Sequence, residues 1–215
     1  MIQRFVYTAQ LKPLSEEERH AFRQGLENCR RDDSILSVSE MQWKDRLFFY
    51  YECRDGEALP EELFPDILPF LALWPGQAAP RHFVRMYDIF HYNAPVTDED
   101  WIRSRPMQPY AQMMRIYPDK LGSYIFYHQQ LQEEHPGSGN KYGIICMHEN
   151  LLFFYLENPE ITTDTLVFQG KLSTDNTPKD WGAAMQPHFM PWEDLDNQIL
   201  WRRDVELLYH FEVIR

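Results

Sequence analysis

"RLFFYYE" (Arg46–Glu52) and "LLFFYLE" (Leu151–Glu157) decide the fold, because they read as one strand written twice. They share five of seven residues at an offset of 105. The same offset, with no gap, sets Phe5 against Tyr110, Pro13 against Pro118 and Leu26 against Leu131. "IFHY" (Ile89–Tyr92) and "LYHF" (Leu208–Phe211) repeat at an offset of 119, so the second copy has gained about 14 residues late in its length. Chance does not hold one offset over so long a stretch. The chain is a tandem duplication.

Each copy has the pattern β-α-β-β-α-β. In "IQRFVYTAQL", Phe5, Tyr7, Ala9 and Leu11 alternate, which is the period of a strand. "LSEEERHAFRQGLENC" opens with Ser15 and Glu18 at capping-box spacing, and Phe22, Leu26 and Cys29 then make a helical stripe. "SILSVSEMQW", a Lys44-Asp45 turn and "RLFFYYEC" read as a hairpin. A proline-broken helix follows, and "HFVRMYDIFHY" reads as the closing strand. The second copy repeats the series. A strand is expected over Tyr110–Tyr117, a helix over Gly122–Glu134 and a hairpin over Tyr142–Glu157. An irregular helical region from Thr163 to Asp196 and a strand over Trp201–Phe211 complete it. "NAPVTDEDWIRSRPMQP" has prolines, acids and no period, and reads as a linker.

A βαββαβ unit is ferredoxin-like: an antiparallel sheet with helices on one face. The other face must be buried. The expected fold is therefore α+β, two tandem ferredoxin-like units packed sheet to sheet as an intramolecular dimeric α/β barrel. The expected division is a first half over 1–93, a linker over 94–109 and a second half over 110–215. A barrel that closes within one chain allows a monomer.

The chain has 215 residues and is 44% hydrophobic, enough for a real core. Its net charge of −12 argues against nucleic acid or an anionic membrane as partner. No apolar run reaches the roughly 18 residues of a membrane span, and none at the start reads as a signal peptide. Cys29, Cys53 and Cys146 are odd in number and unpaired in spacing, which suits a reduced, cytoplasmic setting. The eight histidines show no metal-ligand spacing, there is no glycine-rich phosphate loop, and no serine nucleophile elbow is present.

One stretch invites a site. In "SYIFYHQQLQEEHP" (Ser123–Pro136), Tyr124, Tyr127, His128 and Leu131 fall at i, i+3, i+4 and i+7, on one helix face. Periodicity alone favours a core stripe with a hydrogen-bonded histidine. Four segments of the second copy then fall in a telling order. They are Ala111, Met114, Ile116 and Pro118-Asp119 with Tyr124 and His128; "KYGIICMHENLLFFYLE" from Lys141; Ser173-Thr174-Asp175 with Trp181 and Met185; and Met190-Pro191. This half resembles the L-rhamnose mutarotase family, small sugar epimerases of the dimeric α/β-barrel group. The resemblance covers about half of the chain. It implies His128 and Tyr124 as the catalytic pair, and Tyr142, Trp181 and Phe168 as residues that line or stack on the sugar. Phe168 stands where the family places a tryptophan. The first copy keeps the frame without the chemistry: Arg19, Arg23 and Ser37 hold the positions of Tyr124, His128 and Tyr142.

What the resemblance implies is interconversion of the α and β anomers of L-rhamnose or a related 6-deoxy sugar. Such chemistry needs a proton taken from the anomeric hydroxyl and one delivered to the ring oxygen. Histidine does both near neutral pH. A phenol one turn away can polarise a sugar oxygen, and an aromatic face can cover the apolar side of a deoxy sugar. No cofactor or metal is needed. Two other classes fit the same fold: a barrel monooxygenase or haem-binding protein, and a non-catalytic sugar-binding module.

Overall fold

The computed structural model describes every residue except 77, 163–169 and 197. In chain order its elements are β1 (Ile2–Gln10), α1 (Glu16–Glu27), β2 (Ile35–Trp43), β3 (Arg46–Arg54), α2 (Pro60–Leu63), β4 (Phe83–Arg85), β5 (Tyr87–His91) and α3 (Asp98–Trp101). There follow β6 (Gln108–Ile116), α4 (Leu121–Glu134), β7 (Ile144–His148), β8 (Leu151–Asn158), α5 (Trp181–Met185), β9 (Phe189–Met190) and β10 (Glu206–Glu212).

Local chemistry sets these elements as the sequence leads one to expect. Ser15 accepts from the Glu18 amide while the Glu18 carboxylate accepts from the Ser15 amide, a complete capping box at the start of α1. The β2–β3 hairpin turns at Lys44, whose φ of 56° is the left-handed geometry a tight hairpin needs, and β7–β8 turns at Glu149 with φ 53°. Pro65 and Pro69 hold the segment after α2 to a short 3₁₀ helix.

The chain forms two units, and their boundaries differ from those expected. The first holds Met1–Met86, Ile102–Pro106 and Glu206–Arg215; the second holds Tyr87–Trp101 and Met107–Val205. Among the described residues each unit has a five-stranded antiparallel sheet, β10-β2-β3-β1-β4 in the first and β5-β7-β8-β6-β9 in the second. The four-strand ferredoxin-like order is present in both. The surprise is the fifth strand. The stretch that reads as one closing strand, "HFVRMYDIFHY", is two: β4 pairs with β1, and after Met86 β5 pairs with β7 of the second unit. Reciprocally, β10, late in the second copy, pairs with β2 of the first unit. The division into 1–93, 94–109 and 110–215 is therefore corrected. The physical reason is edge protection: without β5 and β10, β7 and β2 would present open rows of amides and carbonyls.

The expected linker is also structured. Trp101 and Arg103 are buried, with exposures of 2% and 1%. Arg103 grips the fully buried Glu52 of β3 with Nη1 and Nη2, at 2.5 and 3.0 Å, and Tyr50 Oη donates to the same carboxylate. Burial would raise the Glu52 carboxyl, but the Arg103 guanidinium more than offsets this and holds it below the usual carboxylate range.

In the first unit Phe5, Tyr7, Phe49 and Tyr51 form one core face with Phe22 and Leu26 of α1. In the second, Met114, Ile116, Ile145 and Leu152 do so with Tyr124 of α4 and with Ile89 and Phe90 of β5. The alternate residues of the two hairpins, Phe48 and Tyr50, Phe153 and Tyr155, are all 0% exposed. Both faces of each sheet are therefore buried at these strands.

Candidate functional site

Helix α4 carries the site. Of its residues, Tyr124 and His128 are the buried ones, one turn apart on the face toward the sheet. They line a cavity of about 90 Å³ together with Phe90 and Tyr92 at the end of β5, Phe154 of β8 and Trp181 of α5. The Tyr124 and His128 rings lie 4.0 Å apart between centroids at 35°. Phe90 and Trp181 meet the imidazole edge to face, at 5.2 and 4.9 Å. The helical stripe is thus a cavity wall as well as a core.

The imidazole has a defined tautomer. His128 Nδ1 lies 3.0 Å from the Tyr124 carbonyl oxygen, which can only accept, so Nδ1 carries the proton. Nε2 is then a free lone pair. Among the described residues neither His128 Nε2 nor Tyr124 Oη has a hydrogen-bond partner. Burial pushes the His128 pKa down to about 4; the Tyr124 carbonyl works against that, and nearby His188 adds to it. At neutral pH His128 is an uncharged base. Burial raises the Tyr124 phenol well above its ordinary value, so it stays protonated and can donate.

His188 supports the pair from behind. It is buried, its Nδ1 donates to the Met185 carbonyl at 3.2 Å, and its Nε2 lies 2.9 Å from Ser123 Oγ. Its ring meets both Tyr124 and Tyr127 at 5.9 Å. Trp181 is held from the other side. The Glu134 carboxylate at the end of α4 accepts from the Asn176 and Thr177 amides, at 3.0 and 2.7 Å, and from the Thr174 and Thr177 hydroxyls. This ties the segment leading to α5 onto α4.

Of the residues the sequence nominates, Tyr124, His128 and Trp181 meet in one cavity. Tyr142 does not join them. Its hydroxyl donates to the Trp101 carbonyl at 3.0 Å, and its ring meets Trp101 edge to face at 5.1 Å. Tyr142 lies in the turn before β7 rather than in the strand itself, and there its hydroxyl is taken up by Trp101. Phe168 lies outside the described residues. Sequence reasoning missed Phe90 and Tyr92, which belong to the first copy by sequence and reach the second unit through β5. It also missed Phe154 and Trp201, which read as plain strand residues. Among the described residues, no group of three histidines, cysteines or carboxylates is placed to hold a metal ion.

No family model matches the chain, and no curated protein matches it. A solved structure from Fusobacterium nucleatum subsp. nucleatum, named "Putative monooxygenase", aligns over 98% of this chain and 94% of its own, at 10% identity and a TM-score of 0.42.

Proposed function

We propose that the second unit is a sugar mutarotase site, with His128 as acid–base group, acting on L-rhamnose or a related 6-deoxy sugar. The observation that carries this is the convergence of His128 Nε2, Tyr124 Oη and Trp181 on one cavity, with both polar atoms unpartnered among the described residues. In this reading Nε2 takes the proton of the anomeric hydroxyl as the C1–O5 bond opens and the aldehyde forms. The imidazolium so formed is disfavoured by burial, hence a strong acid, and returns the proton to the ring oxygen. Tyr124 donates a hydrogen bond to that oxygen as charge develops on it. Rotation about C1–C2 and the reverse steps give the other anomer. A positioned acid–base group is worth roughly 10²–10⁴ in rate, which suffices because free sugars already interconvert.

The cavity's size adds a condition. A 150 Å³ cavity holds a benzene ring, so about 90 Å³ is tight for a hexose. Trp181 and Trp201, both only half-buried, are the walls placed to swing outward and admit it. The same size disfavours a porphyrin. A second reading, a site for a small flat aromatic substrate such as a barrel monooxygenase would take, is favoured by the aromatic lining. The deciding experiment is saturation-transfer NMR on the whole protein with L-rhamnose, other 6-deoxy hexoses and ordinary hexoses. Protein-dependent anomer exchange supports the first reading; its absence with every sugar, alongside saturable binding of hydroquinone, supports the second.

A further inference from the structure

The wall of the His128 cavity that holds Trp181 is carried by a strap with almost no core of its own. Residues 170–180 form neither helix nor strand; residues 171–176 are all exposed, and Thr177 and Pro178 are only half-buried. Burial does not hold such a segment in place. Among the described residues, the contacts that do gather at the end of α4. Gly170 packs so close to Glu133 that a Cβ there would meet its carbonyl oxygen at 2.1 Å. The Lys171 amide donates to the Glu133 carboxylate at 2.7 Å and the Leu172 amide to the Glu133 carbonyl at 3.4 Å, while Asp175 lies 3.7 Å from His135. Glu134 does most, since its one carboxylate takes four donors from Thr174, Asn176 and Thr177. Four residues beyond Thr177, Trp181 opens α5 and stands edge-on to His128.

Helix stability does not explain the two glutamates. The C-terminal end of a helix is the negative end of its dipole, where acids are unfavourable, and α4 has no basic residue in its last turn to offset them. The strap accounts for both. The repeat agrees: in the first copy Asn28 and Cys29 stand at the positions of Glu133 and Glu134. That copy also lacks the 14 or so residues gained by the second between its hairpin and its closing strand, the interval in which the strap lies. The longer segment, the acids that hold it and His128 all occur in the same copy.

We propose that residues 170–181 are a lid on the His128 cavity and that Glu134 is its latch. The strap comes off the end of α4 to let a molecule in, and on relatching it sets Trp181 against the imidazole. At about 90 Å³ the closed cavity is smaller than one that holds benzene, so a wall must move for any organic substrate. The other half-buried wall, Trp201, is tied down beside it, because Arg202 exchanges two backbone hydrogen bonds of 2.9 Å with Met113 of β6. Helix α4 and strands β5, β7 and β8 are held by their own ladders. Trp181 is the wall whose support can be released at one carboxylate. Glu134 is thus a positioning residue that acts through Trp181. The lid does not depend on which substrate enters; only the effect on KM given below rests on the sugar reading.

The test is carbethoxylation of the full chain by diethyl pyrocarbonate at neutral pH, read residue by residue by peptide mass spectrometry. The reagent acylates a neutral imidazole at its free lone pair, which His128 has at Nε2 but keeps enclosed at 4% exposure. Glu134→Ala should raise the rate at His128 at least tenfold, the scale of one lost hydrogen bond to a charged group. The exposed His20 should keep its rate, and the β6–β8 amides their protection from hydrogen exchange. Glu134→Gln keeps one acceptor oxygen and Thr177→Val removes one donor from the other side, so each should give a smaller rise. Where anomer exchange is present, Glu134→Ala should raise KM by a larger factor than it lowers kcat. An unchanged rate at His128 in Glu134→Ala, or a rise matched by lost β6–β8 protection, would overturn the latch. Absence of anomer exchange with every sugar would overturn the sugar reading alone.

Discussion

The two units share a strand order, a bulge in the exchanged strand and a helix-covered cavity, and they differ in where polarity is buried. In the second, the helix carries it: His128 and Tyr124 face a wall of aromatics and Ile145. In the first, the strand carries it: Glu40 lies under α1, and the helix position of His128 is the exposed Arg23. One scaffold thus buries an imidazole under the helix in one copy and a carboxyl in the other. The frame fixes where a cavity forms; single residues fix what it can do.

The comparison can be broken most sharply at the buried ion pair of the first unit. Arg103→Met leaves Glu52 buried and unpaired, and breaking such a pair costs about 3–5 kcal/mol. Urea unfolding should show that loss. A variant within about 1 kcal/mol of the parent would mean that Glu52 is protonated or hydrated instead.

Next comes the dependence on pH, where the two buried groups should act in opposite directions. His128 has a folded pKa of about 4 against an ordinary 6.5, so the unfolded chain takes the proton first. Its contribution is whole above about 6.5 and is lost as pH falls toward 4, by about 3 kcal/mol at most. Glu40 is raised above its ordinary 4.5, so its contribution is whole below that value and is lost as pH rises. Between about 4.5 and 6.5 the two slopes oppose each other, so their summed contribution to measured stability should stay level there and fall above about 6.5. His128→Asn should make that fall begin near 4.5, and Glu40→Ile should turn the level stretch into a rise that ends near 6.5; no change in either variant would refute the assignment.

Activity separates the units further. His128→Asn should cut anomer exchange by about 10²-fold or more, equal to ~2.7 kcal/mol, with little change in melting temperature. A lowered melting point with exchange untouched would make His128 a core residue. Tyr124→Phe should cost about tenfold, one hydrogen bond. Smallest is Tyr142→Phe, which removes the bond to the Trp101 carbonyl. It should cost about 1 kcal/mol of stability and nothing in exchange, and an exchange defect would restore Tyr142 to the site.

Much of this was legible from residues. The repeat, the capping box at Ser15 and Glu18, the hairpins and the shared face of Tyr124 and His128 all follow from local spacing. The exchange of last strands was not, because alternation with period two satisfies either sheet equally. "HFVRMYDIFHY" carries no signal at Met86 that the chain changes partner. For the same reason Phe90 and Tyr92 could not be assigned to the cavity. Arg103 read as linker because a single charged residue among prolines and acids announces no burial; only Glu52, two strands away, demands it. Tyr142 was not legible, because the strand expected to begin there begins at Ile144 and leaves Tyr142 in the preceding turn.

The exchanged strands have an evolutionary consequence. A half cut at the repeat boundary keeps a strand that belongs elsewhere and lacks the one its own edge requires. Two identical, separate copies could complete one another in this manner, but each would then carry the same residues at every position. Joining them in one reading frame removes that equality. Each descendant inherits a guaranteed counterpart, so the two copies can hold different residues at one equivalent position. Continuity of the chain, rather than any contact within it, is what permitted Arg23 and His128 to part company.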